Sequence, residues 1–381
     1  MLLERIKHLL NMFRVPLCRS IVFESHPEMS GNVGTVYNEL IKRGLNKKYK
    51  FVWRVEDKEK YRNFNASSVS FVDYKPKGIV EKIRWFFYRW FSKALIFENR
   101  LCEKKWKNQL AINLMHGMPI KANRDYVAHD TCDYIVSSGE GLNGILAREM
   151  DIPLKRFVTL GYPRTDVLGE KTGSLEKLGI DGFNKVIVWM PTYRKHVTWD
   201  KHFHEGTQYP SGVPLLTESE SFVKLNEHLR ENGCLLVIKL HPAQDMSTLS
   251  EHPESNIIFL SDKTMNEKGS GVYELLAESD ALLTDYSSVY YDYLLTDKPI
   301  GLVIDDIEEY AANRGLAFEY KDYVKGDYIY TLEELIDFTD CVRDNRDPAE
   351  EERLWAKEKW CDFTDFKSTQ RVADFILEKL G

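Results

Sequence analysis

Short β-branched and aromatic runs alternate with helical patterns along almost the whole chain, in two successive series. The first series contains SIVFESH (20–26), KFVWRV (50–55), SVSFVD (68–73), ALIFEN (94–99), AINLMHG (111–117), YIVSS (134–138) and FVTLGYP (157–163), with helical patterns such as TVYNELIKRGL and EGLNGILAREM. The second contains KVIVWMPT (185–192), CLLVIKLHP (234–242), NIIFLSD (256–262), DALLTD (280–285) and PIGLVI (299–304), with SFVKLNEHLRENG and VYELLAESD as helices between them. Alternation of this kind builds parallel sheets covered by helices. Two series joined near EKTGSLEKLGIDGFN (170–184) predict an α/β protein of two Rossmann-like domains facing across a cleft. The expected division is 1–175 and 176–345, with helices in 346–381 packing back toward the N-terminal domain.

Bulk properties narrow the function. A chain of 381 residues exceeds what one hydrophobic core usually serves, and 43% apolar residues supply two. A net charge of −7 argues against a general nucleic-acid binder. That total conceals a basic stretch: Lys75–Lys107 holds ten Lys/Arg against three Glu. The six cysteines are scattered without a CxxC pair, which suggests reduced thiols in a cytosolic protein. The start, MLLERIKHLLNMFRV, is broken by charge too often for a signal peptide. No run of about 18 uncharged apolar residues suggests a transmembrane helix.

Polar clusters follow several of the strands, where ligands bind in open α/β sheets. In LLTDYSSVYYDYLLTDKPI (282–300), a helix beginning at SSVYYDYLL would offer unpaired N–H groups to phosphate oxygens. Hydroxyls of Thr284, Ser287 and Ser288 could add donors. The rival reading is plain helix capping by Ser287 or Asp285, and Asp292 reads as a solvated face residue. His241 ends the strand in KLHP, and His116 sits in the tight HGMP turn, where an exposed imidazole suits a general base. Each histidine is equally readable as structural. Arg194 and Arg314 can grip phosphate through a planar fork, or form surface ion pairs. His202 and His204 form an HxH pair with no further ligand at metal spacing, and Asp-x-Asp is absent, so no metal is expected.

The segment KPKGIVEKIRWFFYRWFSK (75–93) interleaves six large aromatics with Lys82, Arg84, Arg89 and Lys93. Six such rings in seven positions cannot all face one core. The expectation is an interfacial helix, with Trp85, Phe86 and Trp90 in the headgroup zone and the cations toward anionic lipid.

Taken in order, FES, HGMPIK, LGYPRTDVL, MPTYR, IKLHP, LLTDYSSVYYDYLLTDKPI and NRGLAFEYKDYVKGDYIYTLEEL resemble the motif series of the CDP-glycerol glycerophosphotransferases, the teichoic-acid primases and polymerases and their capsule-forming relatives. The resemblance runs from about residue 20 to about residue 340. It implies a GT-B fold, a C-terminal domain that binds a CDP-polyol such as CDP-glycerol, and monotopic attachment to the cytoplasmic face of an anionic membrane. The implied reaction moves a polyol phosphate to a hydroxyl of a membrane-anchored acceptor, such as a polyprenyl-diphosphate-linked glycan or polymer, and releases CMP. No cofactor is implied, and self-association is left open. Carried onto this sequence, His116 and His241 match the family's two essential histidines. Thr284, Asp285, Ser287 and Ser288 match the diphosphate-binding segment, and Arg194 and Arg314 match basic positions near the donor. Glu24 in FES and Lys121 in HGMPIK are candidates for acceptor or donor contact. Two other classes compete: a GT-B glycosyltransferase or epimerase using a nucleotide sugar, and a non-catalytic membrane scaffold.

Overall fold

The computed structural model describes residues 9, 12–64, 69–98, 104–118, 120–122, 132–192, 207, 209, 212–239 and 255–381. The chain divides into two units. The first comprises Met1–Met118, Asp125–Asp166 and Asp362–Gly381, and the second Pro119–Arg124 and Val167–Cys361.

In the first unit the order is β1 (Cys18–Glu24), α1 (Gly31–Lys42), β2 (Lys50–Val55), β3 (Val69–Asp73), α2 (Gly78–Phe91), β4 (Ser92–Phe97), β5 (Leu110–Asn113), β6 (Tyr134–Ser137), α3 (Glu140–Met150) and β7 (Phe157–Thr159). The strands lie in the order β3-β2-β1-β4-β5-β6-β7, all parallel. Sheets of this kind are covered on both faces, so their strands are apolar throughout rather than alternating. The last five residues of β1 are accordingly all buried. Phe23, Tyr37, Phe51 and Trp53 interlock beside β1 with ring centroids 5.0 to 5.7 Å apart.

The second unit runs α4 (Ser174–Leu178), β8 (Lys185–Trp189), α5 (Ser219–Glu231), β9 (Cys234–Lys239), β10 (Ile257–Leu260), α6 (Asp262–Glu267), α7 (Val272–Glu278), β11 (Ala281–Thr284), α8 (Val289–Tyr293), β12 (Ile300–Val303), α9 (Ile307–Asn313), α10 (Tyr320–Tyr323), β13 (Asp327–Ile329), α11 (Leu332–Arg343) and α12 (Glu350–Trp360). Its parallel sheet has the order β10-β9-β8-β11-β12-β13. All six residues of β9 are buried. Trp189, Phe222, Ile238, Leu283, Ile329 and Phe338 fill the core on one face of the sheet. Gly301 in β12 admits no side chain, because a Cβ there would lie 2.6 Å from Leu283 and 2.9 Å from Ile329. The final helix, α13 (Ser368–Leu380), packs on α1 of the first unit. Its opening N–H groups, at Ser368 and Thr369, donate to the Asp166 carboxylate at 2.9 and 2.7 Å, which fixes where the helix begins.

Both sheets are the doubly wound parallel type expected from the alternation, and each reverses strand order once. The reversal falls between β1 and β4 in the first unit and between β8 and β11 in the second. Ligands in such sheets bind beyond the carboxyl ends of the strands at that point. The division differs from the expected one: residues 167–175 and α12 group with the second unit, as does the short segment after HGMP. Strand β13 lies in KGDYIYT, where three residues give too short a pattern to read.

Candidate functional site

The loop after β5 carries His116 in the first unit. Asn113 Oδ1 accepts the Met115 N–H at 2.9 Å, and Met115 adopts a left-handed φ of 54°. Gly117 follows with φ 145°, so the chain turns sharply on both sides of the histidine. His116 is exposed, while its neighbours Met115 and Met118 are buried. Crowding by protein, with the Arg164 guanidinium in support, holds the His116 imidazole well below its ordinary value, and the Glu98 backbone acts in the opposite sense. The shift keeps the ring neutral at pH 7, the form a general base needs.

Three side chains shape this turn. Asn32, in the first turn of α1, donates through Nδ2 to the carbonyls of Leu114 (3.1 Å) and Met115 (2.7 Å), and accepts the Arg164 N–H on Oδ1 (3.1 Å). Arg164 returns a hydrogen bond from Nη1 to the His116 carbonyl at 2.5 Å. Glu98, just beyond β4, accepts the Val33 N–H at 3.2 Å. Its carboxyl fills the place a Cβ on Gly31 would need, 2.5 Å away, and Gly31 has φ 64°. Burial pushes Glu98 up to about 7, against the Arg164 charge and the N–H groups of Val33 and Asn32. None of these three was singled out from the sequence. Asn32 follows a strand and a glycine in SGNVG, which is the one local signal.

Glu24, at the end of β1, is buried and paired with Arg54 at 2.9 Å. The Arg54 guanidinium lies against Tyr74 and Trp85, 4.0 and 4.3 Å from their ring centroids.

In the second unit, Asp285 is fully buried. It accepts the Thr192 N–H (3.0 Å), the Thr192 hydroxyl (2.6 Å) and the Tyr286 N–H (2.6 Å). The Thr284 hydroxyl donates to the Met190 carbonyl at 3.0 Å. Both side chains therefore tie the end of β11 to the end of β8 across the strand reversal. Tyr286 stacks on Tyr310 at 3.9 Å and donates to Asp306 at 2.9 Å, while Tyr320 donates to the Asp285 carbonyl at 2.7 Å. Ser287 and Ser288 differ. They are half-buried, and among the described residues no hydrogen bond engages either hydroxyl. Helix α8 is only five residues long and runs into a 3₁₀ turn at Leu294–Thr296. Asp292 is buried and accepts the Tyr273 hydroxyl at 2.5 Å, so it is not a solvated face residue.

Arg314 donates from Nη1 to the Ala122 carbonyl at 2.6 Å. Lys121 pairs with Leu316 as an antiparallel bridge, flanked by backbone bonds from Ala122 to Gly315 and from Ala317 to Ile120. The Lys121 ammonium lies 6.0 Å over the Tyr310 ring. Arg194 and His241 lie outside the described residues, as do His202 and His204. Among the described residues no cluster of His, Cys, Asp and Glu could hold a metal.

Helix α2 has no buried residue. Ile79, Val80, Ile83, Phe86 and Phe87 are 73, 66, 61, 50 and 47% exposed, and their spacing puts them on one face. Lys82 and Arg84 are also exposed, and Arg89 and Lys93 are half-buried. Trp85 turns inward onto Arg54, and Trp90 stacks on Phe86 (5.0 Å) and meets Trp106 edge-on (5.6 Å). The outward apolar face is thus built from Ile79, Val80, Ile83, Phe86 and Phe87, with Trp85 excluded. Among the described residues no helix is long and apolar enough to cross a membrane.

Residues 10–378 match the family described as CDP-glycerol:poly(glycerophosphate) glycerophosphotransferase. The teichoic acid poly(glycerol phosphate) polymerase of Bacillus spizizenii is 25% identical, with 94% of this chain and 91% of the polymerase covered. The teichoic acid ribitol-phosphate primase of the same organism is 26% identical over 71% of this chain and 70% of the primase. Among solved structures, the wall teichoic acid polymerase TagF superposes with a TM-score of 0.72 at 21% identity, covering 95% of this chain and 89% of that one. That likeness shows the fold, two α/β units of GT-B type.

Proposed function

The chain belongs to the CDP-glycerol:poly(glycerophosphate) glycerophosphotransferase family, enzymes that transfer a polyol phosphate, and from that premise we propose that it moves glycerol phosphate from CDP-glycerol to a hydroxyl of a lipid-linked acceptor, releasing CMP. The observation that carries the reading is the His116 turn: an exposed imidazole on a backbone held by the buried Asn32 and the half-buried Arg164. In the proposed step the acceptor hydroxyl forms a bond to the phosphorus bearing the glycerol. The bond from that phosphorus to the bridging oxygen of CMP breaks, and His116 takes the hydroxyl proton. Positioning and electrostatics dominate such transfers.

Ser287 and Ser288 carry the proposed diphosphate contact, supported by hydroxyls that no group among the described residues engages. Thr284 and Asp285 support it from behind by joining the two strand ends. Arg314 and Lys121 are assigned a donor-side role through the pairing of 120–122 with 315–317. His241 and Arg194 keep their proposed place beside the diphosphate on the strength of the KLHP and PTYR motifs. Glu24 is proposed as an acceptor-side group held by Arg54. No metal or cofactor is invoked.

The acceptor's lipid implies a surface that reaches the membrane. The apolar face of α2, flanked by Lys82, Arg84, Arg89 and Lys93, supports peripheral attachment to an anionic leaflet. The test of the whole reading is a panel of CDP-polyols and nucleotide sugars incubated with the protein. CMP from CDP-glycerol supports it, whereas a nucleoside diphosphate from a nucleotide sugar supports glycosyl transfer.

A further inference from the structure

We propose that Asn32 is a positioning residue for His116, holding the turn that presents the imidazole, and that Glu98 in turn sets Asn32; the inference rests on the reading of His116 as the base. Asn32 is fully buried in the first turn of α1, yet its amide reaches a loop more than 80 residues away in sequence. Both of its polar atoms are used there: Nδ2 on Leu114 and Met115, Oδ1 on the Arg164 N–H. The direction of the His116 side chain is fixed by the two peptide groups that flank its Cα. Asn32 holds the first of these through the Met115 carbonyl, and Arg164 holds the second through the His116 carbonyl. Asn32 also grips Arg164, so one buried amide is linked to both clamps.

The arrangement is strained, which argues for purpose. A non-glycine residue such as Met115 in the left-handed region is unfavourable and persists only where its surroundings over-determine it. Here the Met115 N–H is held by Asn113 and its carbonyl by Asn32. The residue presented by this strain is exposed, so packing of His116 itself does not explain it. Glu98 completes the support. Its carboxyl sits against Gly31 and takes the Val33 N–H, which pins the start of α1 to the end of β4 and aims Asn32 at the turn.

The test is CMP release from CDP-glycerol by Asn32→Asp, alone and combined with His116→Ala. Aspartate has the same shape but cannot donate to the two carbonyls. Misplacing a reacting group by about 1 Å can cost on the order of 10²-fold. The expected result is a kcat lowered about 10- to 100-fold, a KM for CDP-glycerol within about twofold of wild type, and no further loss when the change is added to His116→Ala. Asn32→Ser, which retains a single donor, is expected to fall between wild type and Asn32→Asp, and it carries the same test if the aspartate variant does not fold. A loss of the same size in the His116→Ala background, or one confined to KM, would overturn the proposal. If His116→Ala is impaired while both Asn32 variants match wild type, the positioning role fails and the base survives. If His116→Ala itself matches wild type, the base reading fails and takes this inference with it.

Discussion

Asp285 accepts both the backbone N–H and the hydroxyl of Thr192, at 3.0 and 2.6 Å, across the point where the second sheet reverses its strand order. The first unit uses the same device: Glu98, at the end of the strand across its reversal, accepts the Val33 N–H from the helix that follows β1. In each case a buried acid closes the crevice floor by binding backbone from the opposite side. Asp285 is therefore a strut between the two strand ends, behind the proposed donor segment. Asp285→Asn puts an amide against N–H groups and leaves buried donors unmet, so stability in urea should fall by about 3 kcal/mol without any donor present. Unchanged stability with a raised KM alone would instead make Asp285 a direct ligand contact.

Ser287→Ala and Ser288→Ala should do the reverse. Their hydroxyls bond nothing in the protein among the described residues, so the melting temperature should not move. Each lost hydrogen bond to a charged phosphate should raise KM for CDP-glycerol about tenfold. Steady-state kinetics and a thermal melt on each variant check both halves.

Much of the fold was legible because it repeats: of the thirteen strands among the described residues, twelve coincide with apolar runs that periodicity exposes. The site was less so. TDYSS could be located from its place after a strand, but its division into two tethering residues and two open hydroxyls depends on Thr192 and Met190, more than 90 residues earlier. Asp292 looked solvated because a charge in a helix usually faces water. Helix α8 is buried on every side, which leaves it the Tyr273 hydroxyl instead. Asn32 and Glu98 are brought together by the strand reversal itself, which no local pattern announces. In α2, counting aromatics identified the segment but not its face. Trp85 is taken by Arg54, and the outward stripe is completed by Ile79, Val80 and Ile83.

The pH dependence of turnover follows from His116. Its imidazole is depressed, so the base form persists as pH falls below the ordinary histidine value of about 6.5. Between pH 8 and 6, kcat should stay flat where His116 deprotonation limits it. An acidic limb centred at 6.5 or above would show a histidine in an ordinary setting.

Glu98 makes a separate prediction for stability. Its folded value is raised from 4.5 to about 7, so across that window the folded chain holds a proton that the unfolded chain has released. Stability is therefore highest below about 4.5 and declines as pH rises toward 7, by at most about 1.4 kcal/mol per pH unit from this group. Glu98→Gln should remove that slope, measured as the difference between urea midpoints of the two proteins from pH 5 to 7.5. Parallel curves would contradict it.

On α2, Ile83→Asp with Phe86→Asp places charge in the exposed apolar face without touching a buried residue. Sedimentation with anionic vesicles should be lost while the melting temperature holds. Neutralising Lys82, Arg84, Arg89 and Lys93 should weaken the same binding and reduce its salt dependence. Undiminished sedimentation in both variants would remove α2 from the membrane surface.

The most direct measurement is the nucleotide released from CDP-glycerol, with an acceptor present, by wild type and His116→Ala. Wild type should release CMP, and the variant should release it 10²- to 10⁴-fold more slowly, the range expected for a missing general base. Release of CDP, or equal rates from the two proteins, would contradict phosphotransfer with His116 as its base.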